Sequence, residues 1–283
     1  MRLQPFTVTG KDFKLKDFKT YIESDDDKQT VKEKLTIKVQ EIAELQSTLY
    51  AQDKYGVLVI IQAMDTAGKD GIIKHVMTGL NPQSTVVHPF KQPSQEELDH
   101  TWLWKGQYLS PTRGGISIFN RSYYEEVLVV KVHKLLKAQK IPEKFLKNVW
   151  KERYEDIRNF EKHLYRNGIE VIKIFLHISK EEQKNRLLAR INDPSKNWKF
   201  SESDIKERSY WNDYMKAYED MIKNTSTKKN PWYVVPSDDK KQSRLLVSRI
   251  IIDRLKKLNL RYPSLEKNEL EKLEKFKQQL LQE

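Results

Sequence analysis

Five short apolar runs punctuate the chain: Val57–Gln62, Thr85–His88, Ile116–Phe119, Val171–Leu176 and Trp232–Val235. They are rich in β-branched and aromatic residues and are bounded by Gly, Asn and Pro, the mark of buried strands. The stretches between them change period. Val31, Leu35, Val39, Ile42, Leu45 and Leu49 recur at helical spacing, with Asp27 placed to cap that helix. Ser94, followed by Glu96 and Glu97, opens another helix, and a charged helix over Trp150–Leu164 stops at Asn167-Gly168. Residues 180–222 read as helical on either side of Asn192-Asp193-Pro194, where proline must interrupt regular structure. A last body helix runs through Leu245, Ile250 and Leu255. Short strands separated by helices predict an α/β fold, a five-stranded parallel sheet flanked by helices on both faces.

The same pattern divides the chain. Residues 1–50 form an N-terminal arm and helix, and 51–262 form the body. The tail, 263–283, puts Leu270, Leu273, Phe276 and Leu280 on one stripe. Its mixed charges favour docking on the body or a sister subunit over a membrane.

In a parallel α/β sheet ligands gather at the carboxyl ends of the strands, and three polar clusters follow strand ends. After the first strand, Ala63-Met64-Asp65-Thr66-Ala67-Gly68-Lys69-Asp70-Gly71 leads into a helix. Strand, small-residue loop, lysine and helix make a phosphate cradle of backbone N–H groups with one full positive charge. The match to GxxxxGK[ST] is imperfect. Ala63 replaces the first glycine, Asp70 the magnesium-holding Ser or Thr, and Asp65 adds a carboxylate. Ala67, Gly68, Lys69, Asp70, Gly71 and Lys74 are therefore the candidate phosphate binders. After the third strand come Asn120, Arg121, Glu125 and Glu126; after the fourth come Arg186, Arg190, Lys196 and Lys199. This set suits phosphoryl transfer, with Asp65, Glu125 and Glu126 to hold a divalent metal and the three arginines to clamp phosphate. The segment 186–199 reads as a closing lid within 180–222. Each part has a plainer reading: arginines four apart pair with carboxylates such as Glu181 and Glu182, a Glu pair caps a helix, and Trp198 is core. Their joint placement after successive strands favours the catalytic reading.

Composition narrows the partners. The 283 residues include no cysteine, which excludes disulfides, thiolate metal sites and cysteine nucleophiles, and the histidines lack metal-ligand spacing. A net charge of +12 attracts polyanions. The opening residues hold no apolar stretch long enough for a signal peptide, nor does any segment approach a membrane span, so a cytoplasmic protein is expected.

From about Tyr50 to Leu255 the chain resembles the family-2 polyphosphate kinases. The resemblance rests on Ala-Met-Asp-Thr-Ala-Gly-Lys-Asp-Gly (63–71), Phe-Asn-Arg-Ser-Tyr-Tyr-Glu-Glu-Val-Leu-Val (119–129) and Arg-Ile-Asn-Asp-Pro-Ser-Lys-Asn-Trp-Lys (190–199). It implies a three-layer P-loop kinase fold like thymidylate kinase, with a helical lid and inorganic polyphosphate as donor. It further implies Mg2+ dependence, with Mn2+ as a substitute, and AMP and ADP as acceptors, giving ADP and ATP. Carried-over roles put Asp65 on metal, Lys69 on phosphate, Arg121 on the transferring group, and Arg186 and Arg190 in the lid. Asn120, where many members have Asp, together with Glu125-Glu126, resembles the subgroup that phosphorylates both AMP and ADP. Phe90, Lys91 and Pro93, with Asn120, are the candidate nucleotide contacts. A homo-oligomer is expected, with no nucleic-acid or membrane partner. The rival readings are an ATP-dependent nucleoside or nucleotide kinase of the same fold and a basic nucleic-acid-binding protein.

Overall fold

The computed structural model describes residues 3–10 and 12–283. Its strands are β1 (Thr7–Val8), β2 (Gly56–Ala63), β3 (Thr85–Pro89), β4 (Ile116–Asn120), β5 (Ile169–His177) and β6 (Trp232–Pro236). The first helices are α1 (Lys28–Gln52), α2 (Lys69–Val76), α3 (Gln95–Asp99), α4 (Trp104–Tyr108), α5 (Val129–Val132) and α6 (Val149–Arg166). They continue with α7 (Lys180–Ile191), α8 (Glu202–Ser209), α9 (Trp211–Thr225), α10 (Lys240–Lys256) and α11 (Lys267–Leu280).

The sheet order is β1-β6-β5-β2-β4-β3. Every neighbouring pair is parallel except β1 with β6. The predicted five-stranded parallel sheet thus carries a sixth, antiparallel edge strand. Thr7–Val8 is two residues long, too short for any period to show in the sequence.

All of β2 and β5 is buried, as expected for central strands covered on both faces. The two faces can be told apart on β5. Glu170 pairs with Arg254 of α10, while Lys173, three residues on and so on the opposite face, pairs with Glu161 of α6. Helices α1, α2 and α10 pack together on the first side, and α6 and α9 on the second.

Local signals behave as their chemistry requires. Asp27 accepts from Thr30 N at 2.7 Å and starts α1. Ser94 accepts from Glu97 N at 3.2 Å. Gly168 turns the chain from α6 into β5 at φ +79°, where a Cβ would also meet Lys54 O at 3.2 Å.

Two segments differ from expectation. Within 180–222, α9 is not part of an exposed flap, because Trp211, Tyr214, Tyr218, Met221 and Ile222 are core residues. Only about 188–209 projects from the body. The α11 stripe does not rest on the body either: Leu270, Leu273, Phe276 and Leu280 are all more than half exposed in the single chain. No described helix is long and apolar enough to cross a membrane.

The contrast between centre and edge is measurable. Leu58→Ala in β2 should cost about 2–5 kcal/mol in urea unfolding, whereas Val86→Ala, half exposed on edge strand β3, should stay within about 0.5 kcal/mol.

Candidate active site

The loop from β2 to α2 is held from beneath by its carbonyls. Lys69 Nζ donates to Ala63 O (3.0 Å) and Met64 O (3.3 Å). Gln183 of α7 donates to Asp65 O at 3.1 Å. Arg186 Nη1 donates to Thr66 O (3.0 Å) and Ala67 O (2.9 Å), and Ser237 Oγ to Ala67 O at 2.7 Å. With the carbonyls turned into the protein, the amides of Lys69, Asp70 and Gly71 at the start of α2 are left to the cavity, while Ala67 N is taken within the loop by Met64 O at 3.2 Å. The bend needs left-handed backbone at Thr66 (φ 65°) and Gly68 (φ 115°).

Arg186 therefore does something other than close over phosphate. Its remaining donors are also taken: Nε by Glu182 (2.7 Å), and Nη2 by Ser237 O (2.6 Å) and Asp238 O (3.0 Å). A buried guanidinium with all five N–H groups paired is a strut between the phosphate loop and the end of β6.

Above the loop sits a cluster of alternating charge. Arg121 Nη2 donates to Asp65 Oδ1 at 2.8 Å, and Lys69 Nζ lies 3.8 Å from the same oxygen. Arg121 Nη1 reaches Glu125 Oε2 at 3.4 Å. Burial works to raise the Asp65 carboxyl, but Lys69, Arg121 and Arg190 outweigh it and hold it below the usual carboxylate range. Burial raises Glu125 above its ordinary value against the pull of Arg121 and Lys69. Burial likewise lowers Lys69, with Asp65 opposing.

A cavity of about 650 Å³ opens over this cluster. It collects Asp65, Ala67, Gly68, Lys69, Asp70, Gly71, Phe90, Asn120, Arg121, Arg186, Arg190, Lys196 and Lys199 from separate strand ends. Lys74, Lys91, Pro93, Glu125 and Glu126 do not line it. Lys74, Lys91 and Pro93 face solvent. Glu126 is turned away, bound by Gln139 (2.5 Å) and Arg153 (3.1 Å). The segment Tyr123–Val127 is a 3-10 turn, so consecutive side chains point about 120° apart and only one of the two glutamates can face Arg121.

Among the cavity residues not singled out in the sequence are Asp204, Ser237 and Ser243 and three with basic side chains, His75, Lys240 and Arg244. Lys240 and Arg244 are one turn apart at the start of α10, directly after β6. The strand-end rule applied once more would have found them. Among the described residues neither is drawn into an ion pair; Glu182 acts on Lys240 and Asp239 on Arg244 only through space. Burial lowers both from their ordinary values, and Arg186 adds to the effect.

No three His, Asp or Glu side chains converge as a metal cage among the described residues. The cavity does offer oxygen donors for a hard cation. Asp65 and Asp70 line it, Asn120 Nδ2 donates to Asp70 Oδ1 at 2.9 Å, and Asn120 Oδ1 is buried without a partner. That set fits Mg2+, which is commonly held by one or two carboxylates while phosphate oxygens and water complete its shell.

A parallel α/β sheet with a lysine-bearing phosphate loop at its carboxyl edge, ringed by guanidinium groups, defines a P-loop kinase. Residues 24–263 match the family model described as polyphosphate kinase 2, and the chain belongs to that family. It is 49% identical over 257 residues to the ADP-polyphosphate phosphotransferase of Rhodopseudomonas palustris, covering 90% of this chain and 89% of that one. It is 42% identical over 236 residues to the AMP/ADP-polyphosphate phosphotransferase of Meiothermus ruber, covering 83% and 85%. The crystal structure of polyphosphate kinase 2 from Arthrobacter aurescens TC1 superposes with a TM-score of 0.86 at 37% identity, covering 92% of this chain and 91% of that one.

If Arg186 is a strut, Arg186→Lys should fail to rescue it, because one ammonium cannot serve five acceptors in a fork. The variant should lose about 3 kcal/mol or more of stability in thermal or denaturant unfolding.

Proposed function

We propose that this protein moves the terminal phosphoryl group of inorganic polyphosphate onto ADP and AMP, forming ATP and ADP. The observation that carries the reading is the pair Lys240 and Arg244. These cations line the cavity near Arg186, and neither is closed into an ion pair; Glu182 bears on Lys240 and Asp239 on Arg244 only through space, and burial and Arg186 outweigh them. A nucleotide's own phosphates are met by the loop and Lys69. A second row of cations beyond them suits a donor that continues as a polyanion.

The residues divide the work by position. Loop amides and Lys69 cradle the transferring group. Arg121, fixed by Asp65 and Glu125, offers a planar guanidinium to its equatorial oxygens. Arg190, Lys196 and Lys199 stand on the projecting segment as the lid. Phe90, lining the opposite side of the cavity, is the apolar surface available to the acceptor's base. No general base is required, since a nucleotide phosphate is mostly ionised at neutral pH, with a second pKa of about 6. Mg2+, or Mn2+ in its place, would be held by Asp65 with Asn120 and Asp70 and would neutralise charge on the phosphates. The barrier falls through positioning and electrostatics.

An ATP-dependent nucleotide kinase remains the second reading, favoured by the shared fold; Asp70 in place of the usual Ser or Thr speaks against it. The exposed α11 stripe supports a homo-oligomer, and the adenine nucleotide acceptors support work in the cytoplasm.

Purified protein given polyphosphate, Mg2+ and ADP should produce ATP with no other donor. EDTA should abolish that turnover, and Lys69→Ala should lower it by at least about a hundredfold while far-UV CD is unchanged. ATP formation that requires a nucleoside triphosphate would favour the second reading. Lys240→Ala/Arg244→Ala should raise KM for long polyphosphate, leave KM for ADP unchanged, and flatten the salt dependence of log KM by about one to two.

A further inference from the structure

A charged cluster that touches no part of the cavity lies in the core between β5, α6 and α9. Lys173 of β5 is fully buried and donates to Glu161 Oε2 (2.6 Å) and Thr225 O (2.8 Å). The other oxygen of Glu161 accepts two hydroxyls, Tyr123 at 3.0 Å and Tyr124 at 2.6 Å. Both tyrosines are buried, and burial beside Glu161 raises their hydroxyls well above the ordinary tyrosine value, so they stay protonated as donors. Such a cluster is a poor device for stability alone. Desolvating the ions is costly, and well-packed apolar replacements are often neutral or stabilising.

Its position in the chain suggests another use. The tyrosines stand two and three residues after Arg121, in the turn that presents Arg121 and Glu125 to the phosphate loop. Arg121 occupies left-handed backbone (φ 62°), which a long side chain adopts only when its surroundings over-determine it. One side of that constraint is visible at the sheet. Arg121 N bonds Ile61 O at 3.1 Å, and Ser122 Oγ accepts from Gln62 Nε2 at 3.1 Å. The other side is the pair of hydroxyls on Glu161.

We propose that Glu161 and Lys173, acting through the hydroxyls of Tyr123 and Tyr124, are positioning residues for Arg121 in phosphoryl transfer. They clamp the far end of the turn, so that the strained backbone at Arg121 and the direction of its guanidinium are set before any substrate binds. This role rests on the polyphosphate-kinase reading only for what Arg121 touches. The clamp on the turn stands independently of it.

Two variants test the clamp. Tyr123→Phe/Tyr124→Phe removes two oxygens and keeps both rings. Glu161→Leu/Lys173→Met replaces the ion pair by apolar side chains, leaves no unpaired buried ion, and takes the acceptor from both hydroxyls. Each is studied well below its own Tm. Amide hydrogen exchange over residues 121–127 should speed up at least tenfold, with β2 and β5 unchanged. With polyphosphate and ADP, kcat should fall at least tenfold while KM for polyphosphate stays within twofold, a split that a loss of stability alone would not produce. Wild-type exchange over 121–127, or wild-type kcat in a folded variant, would overturn the proposal. If the wild-type protein makes no ATP from polyphosphate, the functional reading falls instead, and exchange alone decides whether the turn is clamped.

Discussion

The guanidinium of Arg186 is wedged between the loop after β2 and the end of β6, with its N–H groups spent on Thr66, Ala67, Ser237 and Asp238 carbonyls and on Glu182. A peptide group whose carbonyl is held on one side presents its amide on the other. The direction of the loop therefore follows from contacts beneath it. Gln183 and Ser237 reinforce the same orientation. Because Arg186 and Gln183 both belong to α7, that helix is fastened to the loop up to Ile191, where Asn192-Asp193-Pro194 breaks it. Preorganised amides are worth more than amides that must be reoriented at the moment of reaction.

Buried charge recurs on both faces of β5, and the two instances differ in kind. Glu170–Arg254 joins the strand to α10, with Arg254 also donating to Lys229 O at 2.9 Å. It ties a strand to its covering helix. The Lys173–Glu161 pair gathers residues from the turn after β4 as well as from α6, β5 and α9. A pair shared by several elements fixes their relative placement in a way that apolar contacts, which tolerate sliding, do not.

Much of this architecture was legible in the sequence, and the reasons are specific. The central strands read clearly because strands buried on both faces are continuous apolar runs, while Thr7–Val8 left no trace because two residues carry no period. The order strand, loop, lysine, helix marks the loop after β2 despite Ala63 and Asp70, and the structure keeps that order. Arg121 and Arg190 were placed by the strand-end rule and do share a cavity with Lys69. The sequence could not show that Arg186, one turn before Arg190 on α7, faces inward, since both spacings and both charges are alike. Nor could it separate Glu125 from Glu126, whose divergence depends on the turn being 3-10. Lys240 and Arg244 open the last body helix, where polar residues read as its solvent end, and only the end of β6 beside them points to the cavity.

The net charge of +12 became informative only when the cations were sorted by their partners. Many lysines are matched by local carboxylates: Lys34 with Asp26, Lys38 with Glu41, Lys105 with Glu97, Lys131 with Asp220. Pairs of this sort at the surface, here partly buried, contribute little, typically about 0–1 kcal/mol each, and leave almost no field at a distance. The field that matters is the remainder. At the cavity Lys69 and Arg121 share Asp65, Arg186 pairs with Glu182, and Lys240 and Arg244 add charge that no ion pair closes. Like charges crowded at one concave wall destabilise the protein slightly, and a bound polyanion removes that repulsion while releasing its own counterions. Binding a polyanion at such a wall would relieve a repulsion that the folded protein otherwise carries by itself.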